Sequence, residues 1–192
     1  FKFMSNEILG LKPGTLNCWA AHSGCGKTTY MVGVAMSLIS QGQKVIMVTN
    51  ESSISDLKQS ILVRVLYRCL NYDKIGKKKL ASGNLTEEDM KMIRKARDWY
   101  RKKYAKAIKI VALSDADCNL SCQIIKTHIK RDGCTAFIVD TFKLSVDNGS
   151  NDSFWMDLVK DTRKLTSICL KENVIGLMTM QLALSSINRC WL

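Results

Sequence analysis

Nine consecutive residues, Ala21-His22-Ser23-Gly24-Cys25-Gly26-Lys27-Thr28-Thr29, combine side chains suited to holding a polyphosphate. They follow an apolar, strand-like run from Thr15 to Ala20 and open a helical pattern that starts near Lys27. Strand, glycine-bearing loop, then helix with Lys-Thr at its start is the layout of a phosphate-binding P-loop. A tight loop of small residues turns successive backbone N–H groups inward, and the helix N-terminus behind it adds partial positive charge. On this reading Lys27 reaches the β- and γ-phosphates, and the Thr28 hydroxyl ligates Mg²⁺. The motif asks for Gly where the chain has Ala21, a difference of one methyl group. Cys25 lies inside the loop, where N–H groups and a helix start favour the thiolate, so nucleotide should shield it from alkylation. The plainer reading is that Cys25 fills a position open to many residues.

Three more polar residues close apolar runs. Asp140 follows Ala136-Phe137-Ile138-Val139, Glu51 comes just after Lys44 to Thr49, and Gln181 follows Val174 to Met180. In an open parallel sheet, ligands bind beyond the carboxyl ends of the strands, so these residues are the candidates to face the P-loop. Asp140 has the form of a Walker B acid, delivered by an apolar strand to a metal beside Thr28, through water. Glu51 suits the task of orienting an attacking water and drawing off its proton. Its alternative is to cap the helix behind it. Gln181 does not titrate, but an amide can donate to a γ-phosphate and accept from water. Its alternative is an ordinary polar strand end.

These groups need a scaffold, and hydrophobic periodicity supplies one. Helical spacing runs through Tyr30, Met31, Val34, Ala35, Leu38 and Ile39, with Gly42 as the stop. A second helix is expected from about Ser55 to Leu70, with Leu57, Ile61, Leu62, Val65, Leu66 and Cys69 on one face. Asn71 to Asn84 reads as a Lys-rich loop. Thr86 caps a helix that reaches about Tyr104 and carries Glu87, Glu88 and Asp89 in its first turn. Its aromatic residues, Trp99, Tyr100 and Tyr104, are expected to pack rather than to stack on bases. Asp117 or Asn119 begins a helix through Lys130, and Asp152 or Ser153 begins another that carries Phe154, Leu158, Val159, Leu165, Ile168 and Cys169. Strands are expected at Lys44 to Thr49, Ile108 to Leu113, Thr135 to Asp140 and Val174 to Met180, besides the first. Phe142 to Asn151 reads as a polar loop. Strands alternating with helices argue an α/β fold, a parallel sheet covered on both faces.

The 192 residues, 46% hydrophobic with a single Pro, are enough for one packed domain and argue against disorder. No run approaches the ~20 apolar residues of a membrane span. The chain opens on Phe1 without a signal-peptide pattern, and both ends read as cut edges of a larger polypeptide. Of its eight cysteines, most, Cys18, Cys69 and Cys169 among them, sit in apolar patterns as small hydrophobes. Cys118, Cys122, His128 and Cys134 lack the paired short spacings of a zinc module, and a reduced, cytoplasmic protein is the expectation. The charge of +12 is uneven: residues 74–109 hold thirteen Lys and Arg against four acids, a net of +9. Such a block either binds phosphate backbones or is the solvated face of a helix.

Taken together, Gly10-Leu11-Lys12-Pro13-Gly14, the Ala21-first P-loop, Val48-Thr49-Asn50-Glu51, Phe137-Ile138-Val139-Asp140 and Met180-Gln181-Leu182 resemble the ordered motifs of DnaB-type replicative DNA helicases. The resemblance runs from Leu9 to about Arg189 and looks most like a divergent, phage-type relative. It implies a RecA-like P-loop ATPase using ATP and Mg²⁺, a homo-oligomeric, hexameric ring that translocates on single-stranded DNA, and a primase or helicase loader as partner. It implies that loops after the fourth and fifth strands line the channel, here Lys143 to Asn151 and Leu182 to Arg189. Lys143, Ser145, Asn148, Ser150, Asn151 and Arg189 are then the candidate contacts to the DNA backbone. Three features depart from the family: Ser52-Ser53 where an apolar residue usually follows Glu, a first channel loop with Lys143 as its one basic residue, and an end at Leu192. The family's later strands, its arginine finger and its amino-terminal domain would all lie outside this chain, so the fragment is expected to hydrolyse ATP poorly alone. Two other readings stay open. One is a RecA-fold ATPase that is not a helicase, such as a KaiC- or RadA-like regulator or repair factor. The other is a non-catalytic nucleotide-binding scaffold module.

Overall fold

The computed structural model describes residues 10–114, 117–142 and 151–182, with the backbone alone for 151–155. Five strands form one sheet: β1 (Leu16–Ala21), β2 (Val45–Thr49), β3 (Ile108–Ala112), β4 (Ala136–Phe142) and β5 (Ile175–Gln181). Every described pairing is parallel, in the order β1-β5-β4-β2-β3. A parallel neighbour requires a crossover, and helices supply it. Between the strands run α1 (Lys27–Ser40), α2 (Ile54–Cys69), α3 (Lys77–Ser82), α4 (Glu87–Lys103), α5 (Cys118–Asp132) and α6 (Asn151–Glu172).

The apolar runs expected of a doubly covered sheet divide by period two onto its two faces. Val45, Met47, Ala136, Ile138, Ile175 and Leu177 meet the layer built on α1, α2 and α4. Ile46, Val48, Phe137, Val139 and Met178 meet Cys122 and Ile125 of α5 and Leu165, Ile168 and Cys169 of α6. Phe137 is completely buried at the centre of this second core. Truncating a ring so placed costs about 3–5 kcal/mol. No helix among the described residues is long and apolar enough to cross a membrane.

Local chemistry sets the helix ends. Ser53 caps α2, its hydroxyl accepting from the Asp56 N–H at 3.0 Å. Thr86 and Asp89 form a reciprocal capping box at the start of α4. Asp117 caps α5 by accepting from the N–H groups of Asn119 and Leu120.

Four expectations change. The Lys-rich stretch is not all loop, because α3 forms between Gly76 and the left-handed Gly83. It is held by Lys79, whose ammonium lies 2.7 Å from the buried Asp89. Strand β4 continues past Asp140 through Thr141 and Phe142, both buried. Asn151 is the first residue of α6 rather than the last of a loop. Cys18 is exposed, not a core thiol, and Trp19 beside it is 43% exposed. The reason is position: β1 is an edge strand, with β5 as its one strand neighbour. The aromatic residues of α4 behave as expected, Tyr104 being buried and Trp99 and Tyr100 packed against the core.

Candidate functional site

Because the strands are parallel, their carboxyl ends lie on one side of the sheet. Across adjacent strands β1, β5, β4 and β2, those ends present the P-loop, Gln181, Asp140 and Asn50-Glu51. The register places Ala21 beside Gln181 and Thr49 beside Asp140. At about 4.8 Å per strand, β1 and β4 are roughly 10 Å apart, a gap that a polyphosphate with its metal and water can bridge. The far edge, β3, carries none of these residues.

The loop is shaped by its glycines. Gly24 and Gly26 adopt φ of +77° and +78°, and a Cβ at either would meet no atom within 4 Å. The constraint is therefore the left-handed backbone itself, which costs a side-chain-bearing residue about 1–2 kcal/mol. Gly26 is the N-cap of α1 and offers no side chain to the first turn, so the helix keeps its N–H groups open to an anion. Tyr30 N–H makes the first helical bond, to Gly26 O at 2.9 Å. Ser23, Gly24, Cys25 and Gly26 are exposed at the crown of the loop, as is Thr29, while Thr28 is half-buried.

Lys27 is 7% exposed, and its ammonium donates to the carbonyl oxygens of Ala21 at 3.2 Å and His22 at 3.0 Å. An ammonium has three hydrogens, so one remains for a phosphate oxygen. The same Ala21 carbonyl also accepts from Leu182 N–H at 3.1 Å, tying the loop to the end of β5. Below the loop, the rings of Trp19 and Tyr30 stack at 4.1 Å and bridge its two ends.

Asp140 is fully buried. Its Oδ1 accepts from the Thr179 hydroxyl at 2.9 Å, whereas Oδ2 is buried with no hydrogen-bond partner. A buried carboxylate oxygen left bare is costly, by about 1–3 kcal/mol or more for a charged group. A hydrated cation would remove that cost, so the residues present fit Mg²⁺ between Asp140 and Thr28. His22 Nδ1 is the other buried side-chain atom without a partner among the described residues.

Glu51 is exposed, and its Oε2 accepts from the Thr141 hydroxyl at 2.7 Å. Thr141 N–H donates to Asn50 Oδ1 at 3.3 Å, and Asn50 N–H donates to the Asp140 carbonyl at 3.1 Å. Thr141 thus ties the turn after β2 to the end of β4. The Asp140–Thr141 peptide is cis, and the β4–β5 register shifts between Val139 and Phe142. Glu51 does not cap α2; Ser53 does. Its Oε1 has no protein partner among the described residues.

Gln181 ends β5, exposed, between the P-loop strand and the Asp140 strand. Sequence reasoning placed Thr141 with Asp140 at the end of the fourth strand but gave it no role, and it missed Thr179 and the Trp19–Tyr30 stack. Thr179 could have been found, since it shares a strand face with Gln181 at period two. Lys143, Ser145, Asn148, Ser150 and Arg189 lie outside the described residues, and of Asn151 only the backbone, opening α6, is described. Cys118 and Cys122 place their sulfurs 3.9 Å apart on α5, whereas His128 pairs with Asp132 instead. A groove of about 990 Å³ lies between α5 and α6, but none of the strand-tip residues line it.

The family model described as DnaB-like helicase C terminal domain matches residues 1–189. Among solved structures, one described as an ATPase domain superimposes with a TM-score of 0.76 at 17% identity, covering 98% of this chain and 64% of that one. A DnaB-like replicative helicase, described with its interactions with primase, gives 0.78 at 17% identity, covering 98% and 44% respectively. The chain therefore spans less than two thirds of either protein's length, and at these identities the likeness is one of fold. No curated protein matches the chain.

Proposed function

The chain belongs to the DnaB-like helicase C-terminal domain family, and from that premise we propose that it is the motor core of a replicative DNA helicase. It binds and hydrolyses Mg-ATP to drive translocation on single-stranded DNA and unwinding at replication. The observation that carries this reading is the meeting of Lys27, Gln181, Asp140 and Glu51 at the tips of four adjacent parallel strands.

The P-loop N–H groups and the remaining hydrogen of the Lys27 ammonium cradle the phosphates and offset their charge. Thr28 and Asp140 would hold Mg²⁺, which when bound neutralises charge on the β- and γ-phosphates. Thr179 keeps the Asp140 carboxylate aimed by occupying Oδ1, leaving Oδ2 for that role. Thr141 does the same for Glu51, occupying Oε2 and leaving Oε1 to accept the proton of the attacking water. Gln181 contacts the γ-phosphate and passes the difference between tri- and diphosphate to the segment that follows.

Lys143, Ser145, Asn148, Ser150, Asn151 and Arg189 serve as backbone contacts to single-stranded DNA within a homo-oligomeric, hexameric ring. A primase or helicase loader is the partner class, as primase is for the structural neighbour described with it.

The test is ATP turnover with and without single-stranded DNA, on the protein as the cell makes it. Turnover should rise with single strand, and Lys27→Ala should abolish nucleotide binding. Turnover indifferent to single strand would point to a RecA-fold ATPase of another kind, and nucleotide binding without turnover to a scaffold module.

A further inference from the structure

The excess positive charge does not lie at the strand tips. Part of it lies on α4 beyond its acidic first turn, where Lys91 to Lys103 hold seven Lys and Arg against Asp98; α4 is the outer layer on that side, packing on α2, which packs on α1 and β3. One face of α4, carrying Met92, Ile93, Ala96, Trp99 and Tyr100, is turned into the core. The opposite face repeats at three- and four-residue intervals as Lys91, Arg94, Lys95, Asp98, Arg101 and Lys102, all exposed.

The single acid in that stripe, Asp98, is engaged by Arg97 at 3.6 Å. Among the described residues, none of the five stripe cations has an ion-pair partner. Arg101 and Lys102 in the last turn complement the helix dipole, but that argument does not extend to Lys91, Arg94 and Lys95. Asp98 lies three or four residues from Arg94, Lys95, Arg101 and Lys102, and the exposed Glu87 four residues before Lys91, so the outward face carries five cations against two acids, a net of +3. The helix that holds them is fixed at its start by the capping box and by Asp89, which takes bonds from Tyr72, Lys79 and Thr86.

We propose that the outward face of α4 is a sequence-independent docking surface for the phosphate backbone of duplex DNA, separate from the nucleotide site. From Lys91 to Lys102 the stripe is about 16 Å long at 1.5 Å per residue. That length runs beside about five phosphates of one duplex strand at 3.4 Å of axis each, which matches its five cations. The stripe presents no aromatic side chain, because Trp99 and Tyr100 lie on the packed face. It therefore has no platform for the base stacking that single-strand surfaces use, and duplex is the favoured partner. This inference stands without the motor reading.

Binding of a labelled duplex is measured by fluorescence anisotropy from roughly 50 to 200 mM salt, the range over which phosphate contacts declare themselves. The variant Arg94→Glu/Lys95→Glu/Arg101→Glu/Lys102→Glu should weaken binding at least about tenfold and reduce the log–log salt slope by about 3–4. The matching four Gln substitutions should do the same to a smaller extent, with an unchanged unfolding midpoint. Lys27→Ala should leave duplex binding intact. Reversing four exposed cations elsewhere, Lys58, Lys130, Lys160 and Lys171, should have little effect. An equal loss from that second set would show a net-charge effect and overturn the proposal. So would tighter stripe-dependent binding of single-stranded DNA, or stripe-dependent binding to anionic lipid vesicles in the absence of duplex binding.

Discussion

Two buried carboxylates, 1% and 0% exposed, stand in opposite states. Asp89, in the α2–α4 layer, is saturated. Its Oδ1 accepts from the Tyr72 hydroxyl at 2.7 Å, and its Oδ2 from the Thr86 N–H at 2.9 Å and the Lys79 ammonium at 2.7 Å. Asp140, at the strand tips, holds one hydroxyl on Oδ1 and leaves Oδ2 bare. A saturated buried charge is a brace, whereas an unsaturated one is a cost to the fold that, on the reading proposed above, a bound cation would remove. The difference separates structure from chemistry more clearly than burial or residue type, which the two acids share.

The contrast can be broken most forcefully by removing each charge in turn. Asp140→Asn should lower ATP turnover roughly 10³-fold, the several kcal/mol that a metal's charge stabilisation supplies, without lowering the thermal midpoint. Asp89→Asn should do the reverse: the midpoint falls by several degrees, and turnover well below it stays within about twofold. Matching behaviour of the two variants in both assays would erase the distinction. Next in size, Glu51→Gln should bind ATP normally yet turn over about 10²-fold more slowly, as loss of a general base does. Thr141→Val, which frees Glu51 without removing it, should cost about tenfold in turnover and leave nucleotide affinity unchanged.

The smallest effect is a pH signature of the saturated acid. The Lys79 ammonium, then the Thr86 N–H and the Tyr72 hydroxyl, hold the Asp89 carboxyl well below the usual carboxylate range. The hydrogen bond to Asp89 in turn pushes Tyr72 up to about 12. Asp89 binds its proton more readily in the unfolded chain. Its contribution is therefore complete above the ordinary value near ~4 and is lost as pH falls below it. Tyr72 keeps its proton longer in the folded chain, so its contribution is complete below ~10 and fades as pH rises towards about 12. Thermal midpoints across pH should show both limbs. Tyr72→Phe should flatten the alkaline one, and Asp89→Asn both.

The P-loop, the alternation of strands and helices, and the polar strand tips were legible because each is local: a motif, a period, a run that ends. Asp140, Glu51 and Gln181 could be placed together because parallel strands share a carboxyl end. What could not be read is spatial order. Nothing in the periodicity inserts β5 between β1 and β4 or sets β4 beside β2, and so nothing brings Thr179 to Asp140 or Thr141 to Glu51. The same blindness made Cys18 a core thiol, since an apolar run does not declare itself an edge. Helix α3 was hidden for a related reason: it depends on an ion pair with Asp89, ten residues further along the chain than Lys79.

Whether a triphosphate lies across the tips of β1, β5, β4 and β2 would be decided by a structure with Mg²⁺ and a non-hydrolysable ATP analogue. The γ-phosphate should lie between the Lys27 ammonium and Glu51, with the cation held by Thr28 and by Asp140 Oδ2, directly or through one water. Nucleotide seated elsewhere, in the α5–α6 groove for instance, or a cation that leaves Asp140 Oδ2 bare, would contradict this placement.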